Sequence, residues 1–193
     1  MSMESTLMLA LLVLCIVLNN YLGLYVSRKR GAGIPTGSGV IKSRDYTFYL
    51  IYASYVTLLF DAVASITRET YALPIALLGF TFTMVGIGIN LVARRDLAEH
   101  WSPLAAGAGE QKLVKSGIYS KIRHPIYLSN LSCSLGFALI SWNAIALLLF
   151  VLCLAAFHLR IRREEKELVA AFGDEYAEYT RDVPSMIPRL RRR

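Results

Sequence analysis

The sequence predicts an all-α integral membrane protein with about five transmembrane helices, formed as a single domain over residues 1–193. Hydrophobic residues make up 55% of the chain and its mean hydropathy is +0.45, whereas soluble domains are about 45–50% apolar. Three apolar segments are each long enough to cross a bilayer as a helix, which needs roughly 20 residues. Basic residues are concentrated in alternate connections between the apolar segments.

The first three apolar segments, at about 6–26, 46–66 and 71–93, predict three transmembrane helices. The chain start lacks the basic region and the cleavage site of a signal peptide, so we expect the first segment to be retained. A further apolar stretch, 126–158, is interrupted by Ser141, Trp142 and Asn143. Its two arms are short for a full span, which indicates either a helical hairpin in a thinned bilayer or a re-entrant pair.

The distribution of basic residues predicts the topology. All Lys and Arg residues except Arg68 lie in the stretches 27–45, 94–123 and 160–193. Because cytoplasmic loops carry the excess of Lys and Arg, we expect the N-terminus outside, the C-terminus inside and the loops of a catalytic region, 94–193, facing the cytoplasm. The same rule explains the net charge of +7, so nucleic acid is not expected as a partner.

An unusual density of polar groups precedes the hairpin. The segment 117–127, GIYSKIRHPIY, places Tyr119, Arg123, His124 and Tyr127 where a loop enters the membrane. Pro125 suits the first turn of a helix, and a helix N-terminus favours an anionic ligand group. His124 is therefore either an interfacial anchor or part of a site that accepts a carboxylate or phosphate.

A helix leaving the membrane is predicted after the hairpin, because 160–168 continues the apolar arm without Gly or Pro. Arg160 and Glu164 share one face and Arg163 and Glu167 another. These pairs either form solvated ion pairs or line a polar pocket in which an Arg positions a carboxylate. Gly173 is expected to cap the helix, and a short amphipathic helix is expected to follow.

Several polar, sulfur-containing and glycine residues lie inside the apolar segments and outside these motifs. Asp61, inside an apolar segment, is either functional or reaches the outer interface, and we favour the latter. The three cysteines, which all lie in apolar runs, show neither disulfide nor zinc-ligand spacing. No metal-ligand set is predicted. Gly86 and Gly88 lie in mid-span without a preceding strand and do not predict a dinucleotide loop.

Taken together, the stretch LVKSGIYSKIRHPIY at 113–127, Glu164-Glu165 and FGDEY at 172–176 resemble the isoprenylcysteine carboxyl methyltransferase family. The resemblance covers roughly residues 94–190. It implies S-adenosylmethionine as methyl donor, held at a membrane site without a Rossmann fold, and a prenylated cysteine or another lipid-like substrate that enters from the bilayer. The family usually has a His where this chain has Gln111.

The resemblance also implies roles for individual residues. Counting back from Phe172-Gly173, it makes Arg160 the substrate-facing residue and Glu164 its catalytic partner, with Arg163 and Glu167 as a shifted second choice. The implied cofactor contacts are Gln111, Lys112, Leu113, Val114, Tyr119, His124, Pro125, Ile126, Tyr127, Glu164 and Glu165.

Four functions are compatible with these features. The favoured one is methylation of the α-carboxylate of a C-terminal S-isoprenylcysteine. The second is methylation of a phospholipid amine or another small lipid, which requires a base because an ammonium must first lose its proton. A sterol-type reductase using NADPH is the third, and a non-catalytic membrane scaffold is the fourth. The clustered polar motifs argue against a scaffold.

Overall fold

The computed structural model describes residues 1–29, 46–100 and 113–187. The regular secondary structure in these ranges is entirely helical, with no strand. The side chains at 18–20, 22–29, 48 and 98–100 are not described. Six α-helices follow in order: α1 Met3–Lys29, α2 Tyr46–Thr67, α3 Leu73–His100, α4 Pro125–Ser141, α5 Ala144–Phe172 and α6 Asp174–Asp182. A short 3-10 turn, Gly117–Ser120, precedes α4.

The predicted integral membrane character is confirmed. In the described part of the chain, three helical segments are long and apolar enough to cross a bilayer: Tyr49–Thr67, Leu73–Leu97 and Ala144–Phe172. Helix α4 and the described apolar part of α1, Met3–Val17, are shorter. The count of five spans and the orientation stay predictions.

The helical hairpin has the predicted break, since α4 ends at Ser141 and α5 begins at Ala144. The predicted continuation of the second arm as a helix past His158 is also confirmed. Helix α5 runs for 29 residues, because the Arg, Glu and Lys side chains after His158 are good helix formers. The predicted cap is confirmed: Gly173, at φ +55°, ends α5 with its N–H bonded to the Val169 carbonyl at 2.8 Å.

Helix α4 lies at the centre of the bundle. It packs most extensively on α3 and also contacts α2 and α5, and most of its residues are buried. Glycines allow the close approach to α3: a Cβ on Gly136 would lie 2.2 Å from Thr83 Oγ1, and a Cβ on Gly79 would lie 2.6 Å from the Gly136 carbonyl oxygen. Small residues commonly let membrane helices pack this closely.

Alanine at the two mid-span glycines of α3 is expected to have different effects on stability. A Cβ on Gly86 would lie 2.6 Å from Cys133 Sγ and 2.8 Å from the Ser129 carbonyl oxygen, whereas a Cβ on Gly88 would meet nothing within 4 Å. We expect Gly86→Ala to lower the free energy of unfolding by about 1–3 kcal/mol through overpacking.

Gly88→Ala serves as the control for that substitution. It should be neutral or stabilising by up to about 1 kcal/mol, because Ala is the better helix former. Thermal unfolding in detergent measures both variants. Equal stability of the two would contradict the close α3–α4 contact.

Asp61 joins α2 to the turn of the hairpin. Its Oδ2 accepts a hydrogen bond from Asn143 Nδ2 at 2.8 Å, and Asn143 Oδ1 accepts from the Ala146 N–H at 2.9 Å, capping α5. A carboxylate inside a membrane segment needs such a partner. The contact to Asn143 gives Asp61 a structural partner at the hairpin turn, and its position at the outer interface stays a prediction.

Candidate active site

The Gly-x-Tyr segment is attached to the C-terminal part of α3. Asp96 Oδ2 accepts a hydrogen bond from the Ile118 N–H at 2.7 Å. Gly117 has φ +60°, and a Cβ there would lie 2.1 Å from that same oxygen. Only glycine fits both the left-handed backbone and this contact. The turn thus fixes Tyr119, which is buried and whose carbonyl accepts from the Tyr179 hydroxyl at 2.5 Å.

Arg123 connects three parts of the chain. Its Nε donates to Glu165 Oε1 at 3.1 Å, and its Nη1 donates to the carbonyls of Thr180, at 3.3 Å, and Val183. His124 Nε2 lies 3.2 Å from the same Glu165 oxygen. We call the three side chains of Arg123, His124 and Glu165 the Arg123 clamp. It fixes α4, α5 and the segment after α6 to one another.

A second polar cluster lies beside the clamp and is more deeply buried. Tyr127 donates its hydroxyl to Glu164 Oε2, and the charges of Arg160 and Glu164 both act on that hydroxyl. Arg160 and Glu164 are only 9% and 7% exposed. Charged groups are rarely buried to this degree without a partner. These three residues form what we call the buried cluster.

The arginine of the alternative pair on α5 contacts a different helix. The Arg163 guanidinium carbon lies 4.4 Å from the centre of the Tyr46 ring, and Arg163 also donates to the Tyr46 hydroxyl. Arg163 is therefore directed toward the start of α2. The burial of Arg160 and Glu164 favours them over Arg163 and Glu167 as the pair that lines a pocket.

Aromatic rings connect the buried cluster to the apolar helices. The rings of His124 and Tyr127 are stacked, with centroids 5.6 Å apart, and Tyr127 lies 5.5 Å from Phe157. Below them is an apolar cluster of Leu131, Cys153 and Phe157, against which Ile51, Tyr127, Phe150 and Met186 pack. The site thus has a polar side and an apolar side that meet at Tyr127.

The remaining predicted contacts are distributed around these clusters. Leu113 packs with Leu168, Tyr176 and Tyr179, and Val114 is half-buried. Pro125 is buried and begins α4, followed by half-buried Ile126. Gln111 and Lys112 lie outside the described residues. The predicted free helix N-terminus is partly occupied, because the backbone N–H groups of Arg123 and His124 donate to the carbonyls of Pro184 and Ser185.

Sequence reasoning missed Asp96 and Tyr179, which help to hold the site together, and it singled out Arg123 without predicting its partners. Asp96, Tyr179 and the Arg123 side chain contact groups between 22 and 60 positions away along the chain. The one signal available was the polar character of Asp96, which directly follows the pair Arg94-Arg95 at an apolar segment's end.

The tyrosines outside the membrane segments stay protonated at physiological pH. Burial raises the pKa of Tyr119, with neighbouring Tyr179 and Glu164 adding to the effect. Burial also raises the pKa of Tyr179 to about 12, against a lowering influence of Arg123. Both phenols therefore act as hydrogen-bond groups and not as bases.

Comparison with known proteins finds a family whose sequence model matches the part of the chain that contains the site. The sequence model of the isoprenylcysteine carboxyl methyltransferase family matches residues 77–170. This range extends from α3 to α5 and includes both clusters. The predicted resemblance to this family is confirmed.

Three proteins similar to this chain are named for different activities. A protein-S-isoprenylcysteine O-methyltransferase of Schizosaccharomyces pombe is 44% identical over 79 residues, 40% of this chain and 34% of that protein. The cobalt-zinc-cadmium resistance protein CzcN of Cupriavidus metallidurans is 33% identical over 110 residues, 57% of this chain and 49% of that protein. Methanethiol S-methyltransferase 2 of Bradyrhizobium diazoefficiens is 40% identical over 78 residues, 38% of this chain and 27% of that protein. The chain thus spans half or less of the length of these relatives.

Proposed function

We propose that this protein is a membrane methyltransferase that uses S-adenosylmethionine to methylate the α-carboxylate of a C-terminal S-isoprenylcysteine. The observation that carries the proposal is the burial of Arg160 and Glu164 beside Tyr127 within the segment that matches the family. A buried Arg–Glu pair at the junction of polar and apolar surfaces suits a substrate with a charged head and a lipid tail.

The residues present fit S-adenosylmethionine. Arg123 and His124 both contact Glu165 through its Oε1, and the second carboxylate oxygen, Oε2, is suited to accept from an ammonium or a ribose hydroxyl. The stacked His124 and Tyr127 rings offer a flat face to an aromatic base. The carboxylates of Glu164 and Glu165 favour a sulfonium by charge. When bound, S-adenosylmethionine supplies a methyl group that is already activated.

The residues of this chain then have to position and desolvate the acceptor. A carboxylate is ionised at neutral pH and needs no general base. Arg160 orients it through paired hydrogen bonds, while Tyr127 and Glu164 hold Arg160 in place. The buried cluster excludes water from the carboxylate, which makes its oxygen more reactive. Alignment, and not acid-base chemistry, is the contribution of the protein.

Transfer of labelled methyl from S-adenosylmethionine to N-acetyl-S-farnesylcysteine by the detergent-purified protein tests the proposal. The carboxyl-amidated analogue is the control. We expect base-labile label on the free acid only. Absence of label with intact S-adenosylhomocysteine binding would contradict carboxyl methylation and direct the search to phospholipids and other small lipids.

A thiol is a second candidate acceptor, because one relative is named a methanethiol S-methyltransferase. Thiols ionise only above neutral pH, at about 8.5 for a cysteine side chain, and a buried guanidinium such as that of Arg160 would favour the thiolate. Transfer to methanethiol without transfer to the farnesyl acid would support this alternative. The rate would then rise with pH toward the thiol pKa, whereas the rate with a carboxylate would not.

His124 should contribute to cofactor affinity. It is 6% exposed, stacks on Tyr127 and contacts Glu165, so we expect His124→Ala to weaken S-adenosylhomocysteine binding by about tenfold or more, as loss of a hydrogen bond to a charged group does. Isothermal titration measures this affinity. His158→Ala, at an exposed position of α5, is the control. Unchanged affinity of the His124 variant would remove it from the pocket.

A further inference from the structure

The segment 183–187, which we call the strap, runs from the end of α6 back to the start of α4. Three consecutive carbonyls fix its path. The Val183 carbonyl accepts from the Arg123 guanidinium. The Pro184 and Ser185 carbonyls accept from the backbone N–H groups of Arg123, at 3.0 Å, and His124, at 2.9 Å. The backbone of the strap is therefore held at the entrance of the site.

The strap carries one apolar side chain into the membrane part of the molecule. Met186 is half-buried and packs against the apolar cluster of Leu131, Cys153 and Phe157. The next residue, Ile187, is 80% exposed. Met186 thus reaches the apolar cluster from the polar side, whereas all other members of that cluster belong to the helices α2, α4 and α5.

Tyr127 belongs to the buried cluster and also packs on the apolar cluster that Met186 contacts. Its hydroxyl bonds to Glu164, while its ring lies against Phe157 and packs on the same apolar cluster as Met186. A substrate with its carboxylate at Arg160 and its chain among the apolar helices has to pass the Tyr127 ring. Because Met186 packs against the same apolar cluster as that ring, we expect it to border such a chain.

We propose that Met186 forms a wall of the path for the substrate's apolar chain and thereby sets which chain lengths are accepted. The inference rests on the proposed function, since it assumes a substrate with a charged head and an apolar chain. Methionine is unbranched and polarizable, so its side chain adapts to the shape of a flexible chain. The strap bonds at Val183, Pro184 and Ser185 keep that wall in place.

Kinetics with two chain lengths test the proposal. The measured quantity is the ratio of kcat/KM for N-acetyl-S-geranylgeranylcysteine to that for N-acetyl-S-farnesylcysteine. We expect Met186→Ala to raise this ratio by about tenfold and Met186→Trp to lower it by a similar factor, as pocket size changes of a few carbons do. Met186→Leu, which conserves volume, should leave the ratio close to that of the unsubstituted protein.

Two matched controls separate the wall from general effects. Met84→Ala removes a methionine that is 43% exposed on α3, and Ile187→Ala changes the exposed neighbour in the strap. Neither should change the ratio. The proposal is overturned if Met186→Ala and Met186→Trp leave the ratio unchanged, or if the controls shift it equally. If Met186→Ala fails to fold, the comparison of Met186→Trp with Met186→Leu decides.

Oxidation of Met186 provides a readout that does not depend on methyl transfer. Hydrogen peroxide converts accessible methionines to sulfoxides, and mass spectrometry locates them. We expect N-acetyl-S-farnesylcysteine to slow oxidation at Met186 but not at Met84. Slowed oxidation without any methyl transfer would keep the wall and reject the proposed reaction. Unchanged or faster oxidation at Met186 would reject the wall even if transfer occurs.

Discussion

Arg160→Ala is expected to reduce methyl transfer to the carboxylate substrate by about a hundredfold or more, because removing one partner of a buried charge pair costs about 2–5 kcal/mol. The substitution removes the guanidinium that we propose orients the carboxylate, from a side chain that is only 9% exposed and acts on the Tyr127 hydroxyl. Binding of S-adenosylhomocysteine should persist. Initial rates measure the first effect and isothermal titration the second.

Arg163→Ala is the matched control for Arg160→Ala. It removes the same side chain three positions further along α5, where the guanidinium lies over the Tyr46 ring. We expect less than about a threefold change in rate, since a partly exposed cation–π contact contributes only about 0.5–1 kcal/mol. Normal turnover of the Arg160 variant, or an equal loss in both variants, would show that Arg160 has no substrate role.

Arg123→Ala is expected to cause the largest loss of stability. It removes the partner of Glu165 and the donor to the Thr180 and Val183 carbonyls. The Arg123 and Glu165 side chains are 10% and 27% exposed, so the loss should be about 3 kcal/mol, as for other largely buried pairs with one partner removed. Thermal unfolding in detergent measures this loss.

The Arg123 variant should also release the chain that follows α6. We expect faster amide hydrogen exchange over residues 174–187 in Arg123→Ala, with little change in α3, because the clamp joins this segment to α4 and α5. Lys121→Ala, at an exposed position two residues earlier, is the control. Unchanged exchange in the 174–187 segment would mean that α6 is held by its apolar contacts alone.

Local sequence features predicted the helices well. The break at Ser141, Trp142 and Asn143 and the cap at Gly173 appear as expected, since turn and cap preferences depend on a few adjacent residues. The predicted continuation of α5 beyond the apolar arm, up to Phe172, is also confirmed. Apolar composition ends at His158, but helical hydrogen bonding does not require apolar side chains.

The candidate site was predicted as a set of residues and not as an arrangement. Motif resemblance named Arg160, Glu164, His124 and Tyr127, and the structure brings these four side chains close to one another around the Tyr127 ring. Both Arg–Glu pairs on α5 have the same spacing, so spacing alone left two choices. Tyr46, at the start of a different helix, engages Arg163, and this contact supports our proposal that Arg160 and Glu164 form the pair at the site.

The sequence by itself determined the membrane class, the helix order and the resemblance to a methyltransferase family, because hydrophobicity, charge distribution and short motifs are properties of neighbouring residues. Only the tertiary structure decided that Asp61 bonds to Asn143, that Arg123 clamps the segment after α6, and that Met186 reaches the apolar cluster. Each of these contacts joins residues that are tens of positions apart. Such contacts depend on how the helices cross, and glycines at the α3–α4 contact, such as Gly86, permit that crossing.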